Sequence, residues 1–165
     1  MKALLLVRHA KSSWDNFTVN DFERPLNDRG KADAPKMGKR LRKKGIKIDA
    51  FISSPAKRAR KTAEYFIEEF GRDKDEIIFV SSLYDAAVSD FNAAVKAIDN
   101  KFDNVAVFSH NPGITQFANE LVSGADIDNM PTCSAFAVKA DVEKWKDFSK
   151  AKKQFLFFDY PKKEE

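Results

Sequence analysis

Cysteine is almost missing from this chain. Of 165 residues one is cysteine, Cys133. An intrachain disulfide is excluded, and a reducing, intracellular setting is the default expectation. Long apolar runs are missing too. No stretch approaches the roughly 20 residues of a membrane-spanning helix. The run "ALLLV" after Lys2 is too short for a signal peptide, and Arg8 closes it. A cytoplasmic protein with no membrane partner is expected. Histidine is scarce, with only His9 and His110. Two histidines and one cysteine make a zinc site only by recruiting carboxylates, and no ligand spacing suggests one. No metal and no cofactor are expected. Internal repeats and an interdomain linker are also lacking. One domain over 1–160 is expected, with a frayed tail at 161–165, "PKKEE".

What is present favours a packed fold. Apolar residues make up 43% and charged residues 33%, with a formal net charge of +4. That charge suits anionic partners without choosing among them. The runs "ALLLV" (3–7), "AFIS" (50–53), "IIFV" (77–80), "VAVF" (105–108), "AFAV" (135–138) and "QFLFF" (154–158) read as strands. Strands apolar on both faces suit a sheet covered by helices on both sides. Between them lie helical patterns at 31–44, 90–98 and 114–122. A fourth helix is predicted from Ser54 as N-cap and Pro55 as first residue to a stop at Gly71. The prediction is a three-layer α/β/α sandwich with a mostly parallel central sheet. The abundant phenylalanines of "QFLFF" read as a core strand.

The stretch 31–47 carries eight basic residues against one acid. It reads either as a surface for an acidic partner or as the solvated face of an amphipathic helix, and the second is preferred.

Both histidines follow apolar runs. Ligands in open α/β sheets bind beyond the carboxyl ends of the strands. The first strand end offers Arg8, His9 and Lys11. The second offers "SSPAKRARKTA", with Arg58 in the first turn of a helix. The fourth offers His110, then Asn111-Pro112-Gly113 opening another helix. Two arginines and two helix N-termini favour a tetrahedral anion such as phosphate. A neutral imidazole among them can attack phosphorus and hold the phosphoryl group covalently. One ring nitrogen must then be unprotonated, while the other donates to a backbone carbonyl. Arg8 and Arg58 would disfavour the imidazolium and neutralise charge in the transition state.

The segments "LLLVRHAKSSW", "RPLNDRG", "ISSPAKRARKTA" and "VFSHNPGI" occur in the order found in the histidine phosphatase superfamily. Over roughly residues 2–125 the chain resembles that phosphoglycerate mutase-like family, and within it the SixA-type phosphohistidine phosphatases. The resemblance implies a phosphoglycerate mutase-like fold. It implies that His9 is the phosphorylated nucleophile and that Arg8, Arg58 and His110 bind the phosphoryl group. Ala10 stands where the family commonly has glycine. The family's general acid often follows a Leu-x-Glu pattern; here "SSLYDAAVSDF" offers Asp85. Asp85 reads equally as a cap for the following helix, a role for which Ser89 and Asp90 compete.

Lys11 reads as a phosphate or substrate contact, whereas Ser12 and Asn16 read equally as ordinary loop residues. Trp14 and Phe17 read as cover for the edge of the core. Asp21, Glu23 and Arg24 are expected to pair with one another. The preferred function is a metal-independent phosphatase acting on protein phosphohistidine, such as a histidine-phosphotransfer domain. A small-molecule phosphomonoesterase of the same fold is the alternative. A catalytically dead basic module binding nucleic acid or a phosphoprotein is third, and nucleic acid is not favoured. The oligomeric state is left open.

Overall fold

The computed structural model describes residues 1–15 and 18–163. Asn16 and Phe17, assigned roles above, lie outside the described residues, as do Glu164 and Glu165. In chain order the elements are β1 (Lys2–Arg8), α1 (Asp28–Lys43), β2 (Ala50–Ser53), α2 (Lys57–Glu69), β3 (Ile78–Phe79), α3 (Val88–Lys96), β4 (Asn104–Ser109), α4 (Gly113–Leu121), β5 (Ala135–Ala140) and β6 (Lys153–Asp159). The six strands form one mixed sheet in the order β3-β2-β4-β1-β5-β6. The first four run parallel, β5 runs antiparallel to β1, and β6 runs antiparallel to β5.

The alternation along β1 and β4 divides the core into two layers, because successive side chains point to opposite faces. Leu4, Leu6, Val105 and Val107 pack with Phe91 of α3 and Phe117 of α4. Leu5, Val7, Ala106 and Phe108 pack with Met37 and Leu41 of α1 and Phe66 and Ile67 of α2. Fully burying each large apolar side chain contributes roughly 1.5–3 kcal/mol. The central strands can therefore be apolar on both faces, and the α/β/α sandwich follows.

Several boundaries differ from the sequence reading. Helix α1 starts at Asp28 rather than 31, because the Asn27 side chain accepts from Gly30 N at 2.9 Å and caps it. Helix α2 starts at Lys57, not Pro55, with Ala56 as its uncapped N-cap. Helix α3 starts at Val88, and Asp90 Oδ2 accepts from Ala87 N at 2.9 Å. The capping contact is thus made by Asp90, not Asp85. "QFLFF" is an edge strand rather than a core strand: β6 pairs with β5 alone, and Phe155 and Leu156 are 47% and 39% exposed.

The basic stretch 31–47 is not simply a solvated face. Arg40 is buried and pairs with Asp159 at 3.1 Å, and it donates to the carbonyls of Tyr160 and Pro161. Lys44 reaches the same Asp159 at 2.9 Å, and Lys36 reaches Pro161 O at 3.3 Å. These cations fasten the C-terminal segment to α1. Pro161, expected to begin a frayed tail, is buried beneath them.

Candidate active site

Strands β1 and β4 are parallel neighbours with Arg8 opposite Ser109, so the residues just beyond them emerge side by side. His9 N donates to Ser109 O at 3.1 Å. The two imidazoles face each other with ring centroids 5.3 Å apart. They sit in a cleft of about 500 Å³ that Arg8, Lys11, Arg58, Tyr84 and Asp85 also line. The structure thus brings together every residue that the sequence singled out for the site.

His9 is buried, with 7% exposure. Its Nδ1 lies 2.7 Å from the carbonyl oxygen of Ala10, its own neighbour. A carbonyl can only accept, so Nδ1 carries the proton, and Nε2 is the unprotonated nitrogen. Ala10 is buried among α1 and α2 residues, and its N–H donates to Thr62 Oγ1 at 2.9 Å. The methyl group that replaces the family's glycine therefore points into the core.

Burial lowers the pKa of His9 well below 6.5, opposed by the Ala10 hydrogen bond and reinforced by His110, Arg58 and Arg8. Desolvation, rather than the neighbouring arginines expected from the sequence, is the larger cause. Burial likewise pushes His110 down to about 3, with Arg58 adding to it. Both imidazoles are neutral at pH 7.

His110 is oriented by Ser54. Its Nε2 lies 2.7 Å from Ser54 Oγ, which also accepts from Ala56 N at 3.2 Å. With Ser54 Oγ accepting from Ala56 N and donating its hydroxyl proton to an unprotonated His110 Nε2, the ring proton sits on Nδ1 as a free donor. Ser54, expected as the N-cap of α2, lies before the cap residue Ala56, and its hydroxyl holds a histidine.

Arg8 and Arg58 are each held at the far end of the guanidinium. Arg8 Nη1 donates to Met130 O at 2.8 Å. Arg58 Nη1 and Nη2 donate to Asp21 O at 2.7 Å and Asp21 Oδ2 at 3.0 Å. Among the described residues, four buried polar side-chain atoms have no hydrogen-bond partner: Arg8 Nε, Arg58 Nε, His110 Nδ1 and Ser134 Oγ. Three of them belong to cleft residues and are N–H donors. A buried unsatisfied donor costs about 1–3 kcal/mol, so their concentration in one cleft suits an oxyanion.

Asp21 is the residue whose part the sequence did not disclose. Its carboxylate accepts from Arg58, from Arg24 Nε at 3.1 Å and from Tyr84 OH at 2.7 Å. Partial burial opposes its ionisation, but the Tyr84 and arginine contacts outweigh that and bring the carboxyl to about 2. The expected pairing of Asp21 with Arg24 is present. Trp14, expected to cover the core, is 67% exposed and stacks on the Arg24 guanidinium at 3.5 Å. Asp85 is exposed on the cleft wall with φ 55°.

Two supporting contacts escaped the sequence. Thr115 Oγ1 accepts from Met130 N at 3.0 Å, and Asn111 Nδ2 donates to Met130 O at 3.2 Å. They fix the carbonyl that holds Arg8. Among the described residues no group of three or more His, Cys, Asp or Glu is placed to hold a metal ion.

Residues 4–94 match the family model described as "Histidine phosphatase superfamily (branch 1)". The chain belongs to this superfamily. An uncharacterized chloroplastic protein of Arabidopsis thaliana is 31% identical over 154 residues, covering 88% of this chain and 70% of that one. A 2,3-bisphosphoglycerate-dependent phosphoglycerate mutase of Bartonella tribocorum is 31% identical over 97 residues, 58% of this chain. The chain spans about half of that mutase, 47% of its length. The histidine phosphatase fold extends to the whole sheet. A structure described as the phosphohistidine phosphatase SixA of Agrobacterium tumefaciens superposes with TM-score 0.82 at 23% identity, covering 97% of this chain and 98% of that one. A SixA structure complexed with tungstate gives TM-score 0.81 at 22% identity, with 96% and 97% covered. No helix among the described residues is long and apolar enough to cross a membrane.

Proposed function

We propose that this histidine phosphatase hydrolyses protein phosphohistidine through a phosphorylated His9. The observation that carries this reading is the Nδ1 contact with Ala10 O at 2.7 Å, which leaves Nε2 as a neutral nucleophile among Arg8, Arg58 and His110. In the first step the Nε2 lone pair forms a bond to phosphorus. The bond to the leaving group breaks, and that group departs with the electron pair and takes up a proton. In the second step water attacks phosphorus and gives up a proton to solvent, the P–Nε2 bond breaks with its electron pair returning to His9, and inorganic phosphate leaves. The arginines and His110 Nδ1–H stabilise the equatorial oxygens in both steps. No metal is invoked.

The leaving group favours phosphohistidine. An imidazole departs readily once protonated, whereas an alkoxide needs a positioned acid. Asp85 is exposed rather than packed against a leaving group, and Asp21 is held as a carboxylate by Tyr84 and the arginines. A small-molecule phosphomonoesterase is the second reading, favoured by the partial match to the mutases.

Rapid quench with labelled phosphohistidine substrate tests the scheme. An acid-labile, base-stable phosphoenzyme is expected, absent in His9→Asn. Full turnover by folded His9→Asn would remove the nucleophile assignment. Resistance of activity to EDTA, with inhibition by vanadate, is also expected.

A further inference from the structure

Beside the cleft lies a second concavity of about 310 Å³, lined by Pro25, Leu26, Lys31, Lys57, Lys61 and Tyr65. The two share a wall. Arg24 and Arg58 line the cleft, while their chain neighbours Pro25 and Lys57 line the groove. We propose that this groove docks an acidic segment of the protein whose phosphohistidine enters the cleft. The proposal rests on the phosphohistidine reading above and adds how the partner is recognised.

Charge is the first argument. Lys31 and Lys57 have no ion pair among the described residues, and Lys61 has one, with Glu64 at 3.3 Å. Glu64 is shared with Arg60 at 3.2 Å. The first turn of α2 contains no acid. Cations there oppose the helix dipole, which favours anions at the N-terminus. Helix stability therefore does not account for them, whereas an anionic partner does. Lys36 and Arg40 of the same helix, and Lys44 at its C-cap, are bound to the C-terminal segment and lie away from the groove lining.

The floor is the second argument. Leu26 is buried at 4% exposure, and Pro25 and Tyr65 extend the apolar surface beneath the lysines. Such a floor fits carboxylates flanked by an apolar side chain. It is a small footprint for a nucleic acid, which rewards a long row of phosphate contacts. Adjacent pockets let one protein present phosphohistidine to the first and carboxylates to the second.

Two phosphohistidine peptides of equal length test this, one flanked by aspartate and glutamate, the other by asparagine and glutamine. Free phosphohistidine serves as the small substrate. The parent protein is expected to favour the acidic peptide by roughly tenfold in kcat/KM, mainly through KM, with the preference fading as salt rises. Lys31→Gln/Lys57→Gln should abolish the preference and leave free phosphohistidine turnover within about twofold. Lys31→Glu/Lys57→Glu should reverse it, and unchanged thermal melting would verify that both variants fold. Hydrolysis of both peptides without preference overturns the docking proposal alone. So does a preference that survives both variants, or loss of random-sequence DNA binding in the variants with the peptide preference intact. Failure to hydrolyse any phosphohistidine substrate overturns the parent reading as well.

Discussion

Asp21 grips Arg58 through both terminal nitrogens, by its carbonyl at 2.7 Å and its carboxylate at 3.0 Å. The 3-10 turn Asp21–Glu23 is thereby tied to the first turn of α2, with Tyr84 OH joining the same carboxylate oxygen. This arrangement occupies the far end of the guanidinium and leaves Nε, which is buried and without a partner. Arg58→Ala should reduce kcat/KM by ~10²–10³, the usual loss for one donor in a preorganised site. Arg58→Lys should recover little, because the planar fork is lost. Asp21→Asn removes a charge-assisted contact and should reduce kcat/KM by about tenfold. Vanadate affinity should weaken in parallel. Unchanged vanadate affinity in Asp21→Asn would show that Arg58 holds its position unaided.

The histidines predict an acid limb far from the ordinary value. His110 is held at about 3 and His9 well below 6.5, so neither charges as pH falls through 6. In the unfolded chain both bind protons near 6.5. The unfolded state then holds more protons below that pH, and stability falls with pH. It is fully present above about 6.5 and is lost progressively towards the folded values, by up to ~1.4 kcal/mol per pH unit for each histidine. Asp21, unfolded near 3.8 and folded at about 2, adds a loss confined to lower pH. Denaturant titrations at pH 7, 6 and 5 should show this slope, and His110→Gln should halve it. The rate of His9 phosphorylation should show no inflection at 6.5.

Two glycines are needed for close backbone approach. A Cβ on Gly30 would lie 2.1 Å from Lys11 O, and one on Gly113 would lie 2.0 Å from Ala86 O. Both contacts press on cleft walls, since Lys11 and Asp85 line the cleft. Backbone cannot rotate away as a side chain can. Gly30→Ala and Gly113→Ala should each destabilise by about 1–3 kcal/mol, as overpacking does. Urea denaturation measures the loss. Activity should fall more than that of a surface variant such as Lys43→Ala.

The sequence was most legible where chemistry follows a strand end. Strand ends and the family resemblance together single out Arg8, His9, Arg58 and His110, and the parallel β1–β4 pairing brings them into one cleft. Ser54 was misread because a serine before proline has the local grammar of a cap. Its bond to His110 joins residues 56 apart in the chain. Asp21 was seen as a local partner for Arg24, but its contacts with Arg58 and Tyr84 span 37 and 63 residues. Local pattern carries no signal for such pairs. "QFLFF" misled for another reason. Composition reports apolarity, whereas position at the sheet edge is set by topology.

Asp85 decides between the two enzymatic readings. It stands on the cleft wall with φ 55°, a left-handed conformation that glycine, asparagine and aspartate adopt more readily than other residues. Its side chain is exposed, and the helix cap belongs to Asp90. Local backbone preference therefore accounts for an aspartate here, whereas capping does not. A general acid typically contributes ~10²–10⁴-fold, and the contribution grows as the leaving group worsens. If Asp85 has no such part, Asp85→Asn and Asp85→Gly should leave phosphohistidine turnover within about twofold. Both should keep or raise stability, since each residue tolerates positive φ. Alkyl phosphate hydrolysis should be negligible before and after the change. Efficient alkyl phosphate turnover in the parent protein, lost in Asp85→Asn, would establish the monoesterase reading and place the acid at the mouth of the cleft.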